Sequence, residues 1–408
     1  MSRLNVAVLF GGKSVEHEIS IVTAREALGA IDRRRYAPLP VYVSREGRWF
    51  CGERLKEVMD HDERKAFAKE TVAESLESRL DEVTLLPIPG VGGLVKLGDM
   101  RKPRAFSGAR SAGQKRRSVI PVDVYMPLFH GTLGEDGCMQ GLFELAEVAY
   151  TGCNTIVSAI GMHKHFAKQL LQANGVNCLP GILVRKREME NFDRLWERIT
   201  GKLAFPLFVK PCSLGSSVGI SSQSVVQSQE TLAQALAHAF RYDDSAIIEP
   251  YVSNLRELQV AVCRGNALLV SAVESPKVKG INTASSKYGD NMLSSGSKSA
   301  MEVGLSNAKR ELNPRDLPEG VLAEVVAAAR RVYEILDCAG VVRVDFFYDQ
   351  TNNRLLFNEI NSLPGSLSLF LFHGLAPPLL FPELLDTIIE SALRFHAGRD
   401  NYQRTHVF

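Results

Sequence analysis

The chain has 408 residues, 45% of them hydrophobic and 23% charged, with a formal net charge of +2. That length suits two to three domains of a soluble globular protein, and a near-neutral charge gives no general argument for nucleic acid or a membrane surface as partner. No apolar run is long enough to cross a bilayer, and the 7 cysteines form no CxxC pair, which fits reduced thiols and argues against a disulfide framework or a zinc site.

Asn5 to Phe10 reads as a buried strand, entered directly without a signal-peptide pattern, so a cytoplasmic location is expected. It runs into Gly11-Gly12 and a helix whose Ile21, Ala24, Leu28 and Ile31 share one face. A second strand near Leu39 to Val43 completes the start of an open parallel α/β domain. The turn Gly11-Gly12-Lys13-Ser14-Val15-Glu16-His17-Glu18 has the wrong spacing for GxGxxG, and its glutamates would oppose a pyrophosphate. Carboxylates there suit an ammonium group, so Glu16 is read as the binder of a substrate amine. The plainer alternative is a helix N-terminus favoured by acidic residues.

Between about Asp60 and Pro121 the pattern weakens. Residues 101–117 hold seven basic residues and no acidic one, but with a single aromatic, Phe106, they lack an interleaved aromatic pattern and read as a solvated loop. Val122 to Phe129 is a later strand of the same sheet. It delivers Phe129-His130-Gly131-Thr132-Leu133-Gly134-Glu135-Asp136-Gly137 to a strand end, where open α/β sheets hold ligands, so this is read as a substrate loop containing His130.

A second unit begins near Thr155. Ile160 to Ala173 is helical, and the strand Phe205 to Lys210 leads into Pro211-Cys212-Ser213-Leu214-Gly215-Ser216-Ser217-Val218-Gly219. A strand-terminal lysine followed by clustered amides and hydroxyls can wrap nucleotide phosphates, with Lys210 as the charge. No GxxxxGK[ST] motif occurs, so this is not a P-loop. Cys212 is taken as a packing residue. The short strand Ala246 to Glu249 can read an adenine rim through its main chain, with Glu257 near enough to hold a ribose.

The third unit contains Leu258 to Cys263, a long polar stretch from Val278 to Asn307, and a helix from Leu322 to Leu336. Two β-prone runs follow, Val341 to Phe347 and Leu355 to Asn361, joined by the turn residues Asp349 to Asn353 as an antiparallel hairpin. Alternation of side chains puts Arg343 and Asp345 on one face of the first strand, and Glu359 and Asn361 on one face of the second. If those faces coincide, two carboxylates and an amide oxygen offer the hard ligands that suit magnesium. The expected domains are 1–154, 155–249 and 250–408.

With these blocks placed, the chain resembles the D-alanine–D-alanine ligase family of ATP-grasp enzymes. The matching motifs are GGKSVEHEIS, HGTLGEDG, GMHKHFAKQLLQANGV, FPLFVKPCSLGSSVG, RVDFF and FNEINSLPGS, in order from Val6 to about Leu371. The resemblance implies an α/β fold of the ATP-grasp kind, an N-terminal open parallel α/β domain followed by two subdomains that sandwich ATP. It implies that ATP phosphorylates the carboxylate of one amino acid and that the amine of a second attacks the acyl phosphate.

By the same resemblance, Lys164, Lys210 and the Ser216-Ser217 loop contact phosphates, while Glu249, Val252 and Glu257 hold the nucleoside. Asp345, Glu359 and Asn361 bind magnesium, commonly two ions, with manganese as the alternative. Arg343 and the Gly365 amide stabilise the oxyanion, Glu16 and His130 orient the first amino acid, and Glu16 and Ser216 count with Arg343 and Gly365 as catalytic. Lys287 and Tyr288 close over the γ-phosphate. D-alanine as substrate, a homodimer, peptidoglycan synthesis as the purpose, and no nucleic-acid or membrane partner are further implications.

Two positions depart from the family pattern. Asn282 stands where members carry a lid tyrosine, and Phe370 stands where a serine grips the carboxylate of the second amino acid, with Leu371 beside it. Segment 289–312 is also long and polar for a lid. A related ligase with altered second-substrate specificity is therefore one alternative, because polar recognition sites discriminate strongly. A catalytically silent nucleotide-binding regulator is another, opposed by the joint presence of Lys164, Lys210, Arg343, Asp345, Glu359 and Asn361. A nucleic-acid binder using 101–117 lacks a recognition motif.

Overall fold

The computed structural model describes residues 2–60, 77–99, 118–215, 218–276 and 310–399. They fall into two compact units, one formed by the chain up to Thr155 together with Gly365–Leu367 and the residues from Leu380 onward, the other by Ile156–Pro364 and Ser368–Leu379.

The first unit is built on β1 (Leu4–Gly11), whose interior run Val6 to Phe10 has no exposed surface. Helix α1 (His17–Ala30) follows, burying Ile21, Ala24 and Leu28 as the 3.6-residue period predicts. Then come β2 (Tyr36–Val43), β3 (Trp49–Cys51), α2 (Glu53–Asp60), β4 (Asp81–Thr84), β5 (Gly93–Lys96), β6 (Val119–Pro121), β7 (Val124–Pro127) and α3 (Cys138–Ala146). The sheet order is β6-β5-β4-β3-β2-β1-β7. Only the ladders β2-β1-β7 are parallel; β3 to β6 join antiparallel, so four of the six ladders of this sheet depart from the parallel pattern expected of it. These extra strands are three or four residues long, too short for alternation to stand out in the sequence. The basic segment 101–117 lies outside the described residues.

The second unit opens with α4 (Thr155–Met162) and α5 (Lys164–Ala173), which replace the continuous helix expected over 160–173. His163 separates them in an extended conformation, and its side chain accepts from the Phe166 amide as the N-cap of α5. Strands β8 (Ile182–Arg185), β9 (Leu207–Pro211), β10 (Val225–Val226) and β11 (Ser245–Pro250) form an antiparallel sheet in the order β10-β9-β11-β8. Helices α6 (Phe192–Thr200) and α7 (Gln229–Ala239) share a core with it through Leu195, Ile199, Leu232 and Leu236. A second antiparallel sheet has the order β14-β13-β12-β15-β16, from β12 (Leu255–Arg264), β13 (Leu268–Pro276), β14 (Arg310–Leu312), β15 (Val341–Asp349) and β16 (Arg354–Asn361). Helix α8 (Val321–Ile335) buries Val325, Ala329 and Val332, and α9 (Leu369–Phe372) is a short turn of helix.

The last helix, α10 (Phe381–Arg399), groups with the first unit. Its Leu384, Leu385, Ile388 and Ile389 are buried at helical spacing, and Asp386 accepts from Tyr36 and Arg35. At the end of β1, Gly11 adopts φ +93, and a Cβ there would lie 2.3 Å from the Val43 carbonyl oxygen. Gly11→Ala is expected to lower stability by at least about 1–2 kcal/mol, seen as a lower urea midpoint with an unchanged slope.

Candidate active site

The hairpin of β15 and β16 sets Asp345 opposite Glu359 and Arg343 opposite Asn361, so the two expected faces coincide. Two residues of β12 join that face: Gln259 pairs with Asp345, and Glu257 with Phe347. The ladder slips between Asp345 and Phe346, because Phe346 pairs with Phe357 and leaves Asn358 as the extra residue of a bulge. Asn358 is thereby free of the strict alternation, and its Oδ1 accepts from Lys210 Nζ at 3.1 Å.

Arg343 grips Asp345 through two bonds, Nε to Oδ1 at 2.7 Å and the guanidinium Nη2 to Oδ2 at 2.9 Å. Gln259 Nε2 donates to Glu257 at 2.9 Å and reaches Asp345 at 3.4 Å, while Asn361 Nδ2 also reaches Asp345 at 3.4 Å. Burial pushes the Asp345 carboxyl above its ordinary range; Arg343 opposes this, and the nearby carboxylates of Glu359 and Glu257 push the same way as burial. Burial likewise acts to lower the Arg343 pKa, but Asp345, Glu359 and Glu257 raise it overall.

Among the described residues no cluster of three His, Cys, Asp or Glu side chains with metal-binding geometry occurs. The set here is two carboxylates and an amide, Asp345, Glu359 and Asn361, crowded by a third carboxylate. Oxygen donors in that number suit magnesium, which completes its shell with water and phosphate, and an added cation would relieve the mutual repulsion of the carboxylates.

The lysines approach from the other elements of this unit. Lys164, at the start of α5, donates to the Leu214 carbonyl of the glycine-serine loop and lies 3.2 Å from Glu359 Oε2. Lys210, near the end of β9, lies 2.9 Å from Glu249 Oε2 on β11. The other oxygen of Glu249 bonds to Lys168, one turn along α5 from Lys164. Lys168, Glu249 and Lys210 are all buried. Burial acts to raise the Glu249 carboxyl, but the two ammonium groups overcome it and hold the pKa at about 2. Burial depresses Lys168 to about 8, with Glu249 working against it. The carboxyl shift stabilises the fold above the ordinary carboxylate pKa, while the lysine shift opposes folding in full below about 8 and fades as the pH rises toward the ordinary lysine pKa. These effects act in opposite directions, as is usual for buried ion pairs. Lys168, Asn358 and Gln259 are polar residues that motif reading passed over; the i, i+4 spacing of Lys164 and Lys168 was the one available signal.

Strand β11, in the other sheet of this unit, has an open edge near its end. Its pairing with β8 ends at Ile248, so on that side the main chain of Glu249 and Pro250 has no strand partner among the described residues. Val252 follows just beyond. Cys212 is fully buried, and burial pushes its thiol up to about 12, which fits a packing residue. Ser216, Ser217, Asn282, Lys287, Tyr288 and residues 289–309 lie outside the described residues.

In the first unit, Gly11 and Gly12 both take positive φ and carry the chain to Glu16, which is only 8% exposed. Ser20 Oγ accepts from the Gly11 amide, and His17 Nδ1 meets the Gly12 carbonyl at 2.6 Å. Burial lowers the His17 pKa, so this ring holds the turn as a neutral group. The structure brings Glu16 and the His130 loop together: a Cβ on Gly131 would lie 2.6 Å from Glu16 Oε2, and Ser14 Oγ donates to the His130 carbonyl. His130 Nε2 lies 2.9 Å from Thr23 Oγ1, and Thr23 Oγ1 also accepts from the Ser366 amide at 3.1 Å. Ser366, Leu367 and Ser368, just after Gly365, all have φ near +50, an arrangement non-glycine residues rarely adopt. Phe370 is half-buried and Leu371 is fully buried in α9.

A family model described as "D-ala D-ala ligase N-terminus" matches residues 5–153, and one described as "D-ala D-ala ligase C-terminus" matches residues 170–390. A D-alanine–D-alanine ligase of Chlorobaculum tepidum is 35% identical over 396 residues, covering 96% of this chain and 98% of that protein. The chain belongs to the D-alanine–D-alanine ligase family. A D-alanine–D-alanine ligase A of Mesorhizobium japonicum is 34% identical, with 97% and 99% coverage. The solved D-alanine–D-alanine ligase of Coxiella burnetii superposes with a TM-score of 0.73 at 26% identity, covering 98% of this chain and 97% of that one. The VanG D-Ala:D-Ser ligase of Enterococcus faecalis gives 0.70 at 25% identity, with 96% and 100% coverage. The fold is that of the ATP-grasp ligases, and the family is one of ATP-dependent ligases.

Thr23 is fully buried and bonds to both His130 and the strained turn after Gly365. Thr23→Val, which removes the hydroxyl while keeping the shape, is expected to cost about 1–3 kcal/mol by stranding the Ser366 amide. Thr23→Ser should recover most of that loss in chemical denaturation.

Proposed function

We propose that this protein ligates two D-alanines to D-alanyl-D-alanine at the expense of ATP, in peptidoglycan synthesis. The observation that carries the reading is the single face of β12, β15 and β16 that holds Glu257, Arg343, Asp345, Glu359 and Asn361, reached by Lys164 and, through Asn358, by Lys210. Full-length similarity to D-alanine–D-alanine ligases supports it.

In this reading Lys164, Lys210 and the Ser216-Ser217 loop bind the phosphates of ATP. The main chain at Glu249 and Val252 holds the adenine, and Glu257 the ribose. Asp345, Glu359 and Asn361 hold magnesium, two ions by family likeness, which supplies positive charge to the phosphate oxygens. Glu16 binds the ammonium of the first amino acid, with His130 fixing its orientation. Its carboxylate oxygen takes the γ-phosphoryl group and ADP leaves. The free amine of the second D-alanine attacks the carbonyl carbon, Arg343 and the Gly365 amide neutralise the oxyanion, and phosphate departs. Lys287 and Tyr288 cover the γ-phosphate and keep water from the acyl phosphate.

The domain division 1–154, 155–249 and 250–408, a cytoplasmic homodimer, and the absence of nucleic-acid and membrane partners are part of this proposal. No described helix is long and apolar enough to cross a membrane. A second reading, the same chemistry with another acceptor amine, rests on Phe370: an apolar ring cannot bond a carboxylate as a serine would.

Protein supplied with ATP, magnesium and a panel of amino acids is expected to release phosphate, and Glu359→Gln should reduce that release to background. Undiminished turnover in the variant would remove the metal assignment. Phe370→Ser should raise kcat/KM for D-alanine as acceptor if the ring restricts that pocket; an unchanged value would leave specificity to other residues.

A further inference from the structure

The buried cluster around Glu249 contains a residue that the proposed mechanism does not use. We infer that Lys168 is a positioning residue for nucleotide binding: it neutralises Glu249 from the far side, so that the ammonium of Lys210 keeps its charge and its third N–H for a phosphate. The inference rests on the reading of Lys210 as a phosphate contact.

The geometry supplies the argument. Lys168 and Lys210 hold different oxygens of one carboxylate, Oε1 and Oε2, and the Lys168 and Glu249 side chains are each only 3% exposed. Water cannot take over the role of either cation at such a site, and an uncompensated buried charge is strongly unfavourable. A lysine ammonium has three donors. In Lys210 one goes to Glu249 at 2.9 Å and one to Asn358 Oδ1 at 3.1 Å. Two ammonium groups and one carboxylate leave a net positive charge in the cluster. Removing Lys168 would leave Lys210 and Glu249 as a neutral pair, with the lysine drawn to both carboxylate oxygens and no net charge to offer an anion.

This assigns a purpose to the i, i+4 pair on α5: Lys164 faces Glu359 and the glycine-serine loop, while Lys168 faces Glu249. It also explains why a carboxylate can stand beside a phosphate-binding lysine without cancelling it. The prediction is one of charge balance, which a purely packing role for the Lys168 stem would not share.

The test is calorimetric titration with a non-hydrolysable ATP analogue and magnesium, on wild type, K168M, K168M/E249Q and K210M, with thermal melts to verify folding. K168M should bind the analogue about tenfold to a hundredfold more weakly, the size of a lost charge-assisted contact, while the KM for D-alanine stays near that of wild type. K168M/E249Q, which restores the net positive charge, should recover most of the affinity. Wild-type affinity in folded K168M overturns the inference, and so does a folded double variant that binds as weakly as K168M. Should K168M fail to fold, the double variant, which has no unbalanced carboxylate, decides the matter alone. Unchanged affinity in K210M would instead remove the phosphate reading of Lys210, and the inference with it.

Discussion

The constraint on which the larger unit depends is the burial of charge. Lys164, Lys168, Lys210 and Arg343 stand against Glu249, Glu257, Asp345 and Glu359, and five of the eight, Lys164, Lys168, Lys210, Glu249 and Asp345, are nearly inaccessible to water. Charges in such surroundings persist only when each meets an opposite partner and a satisfied set of hydrogen bonds. Five elements meet these demands jointly: α5, β9, β11, β12 and the β15–β16 hairpin. Such an assembly adds little net stability, because desolvation offsets attraction. What it provides is a fixed array of charge, and an array of fixed charge is what phosphoryl transfer requires.

The smaller unit meets a different demand, that of holding a short turn against its own conformational preference. Gly11 and Gly12 permit the turn sterically, and neutral His17 with Ser20 fixes it by hydrogen bonds to the main chain. Thr23 then ties the His130 loop to the left-handed residues after Gly365. Left-handed conformation at three consecutive non-glycine residues persists only where the surroundings over-determine it, which is characteristic of functional sites.

Much of this was legible in the sequence because alternation on strands is a strict rule. The shared face of Arg343, Asp345, Glu359 and Asn361 follows from spacing alone, once the two strands are taken to pair. Bulges break that rule, which is why Asn358 was not read as facing Lys210. Lys168 was passed over because a lysine on a helix is usually solvated, and its burial follows only from the packing of α5 against β16 and β11. The short antiparallel strands β4, β5 and β6 are too brief for a periodic signal. The association of α10 with α1, β7 and β2 is a long-range event, sealed by Asp386 with Tyr36 and Arg35, that local pattern does not encode. His163 divides a run that looks uniformly helical, because its side chain caps the second half.

The central claim is that this array of charge activates a carboxylate as an acyl phosphate. It is tested most directly by supplying D-alanine labelled with oxygen-18 in its carboxylate, together with ATP and magnesium, and analysing the products by mass spectrometry. The account predicts D-alanyl-D-alanine and inorganic phosphate that carries one labelled oxygen for each dipeptide formed. Phosphate released without label would contradict it, because the carboxylate oxygen would then never have been bonded to phosphorus.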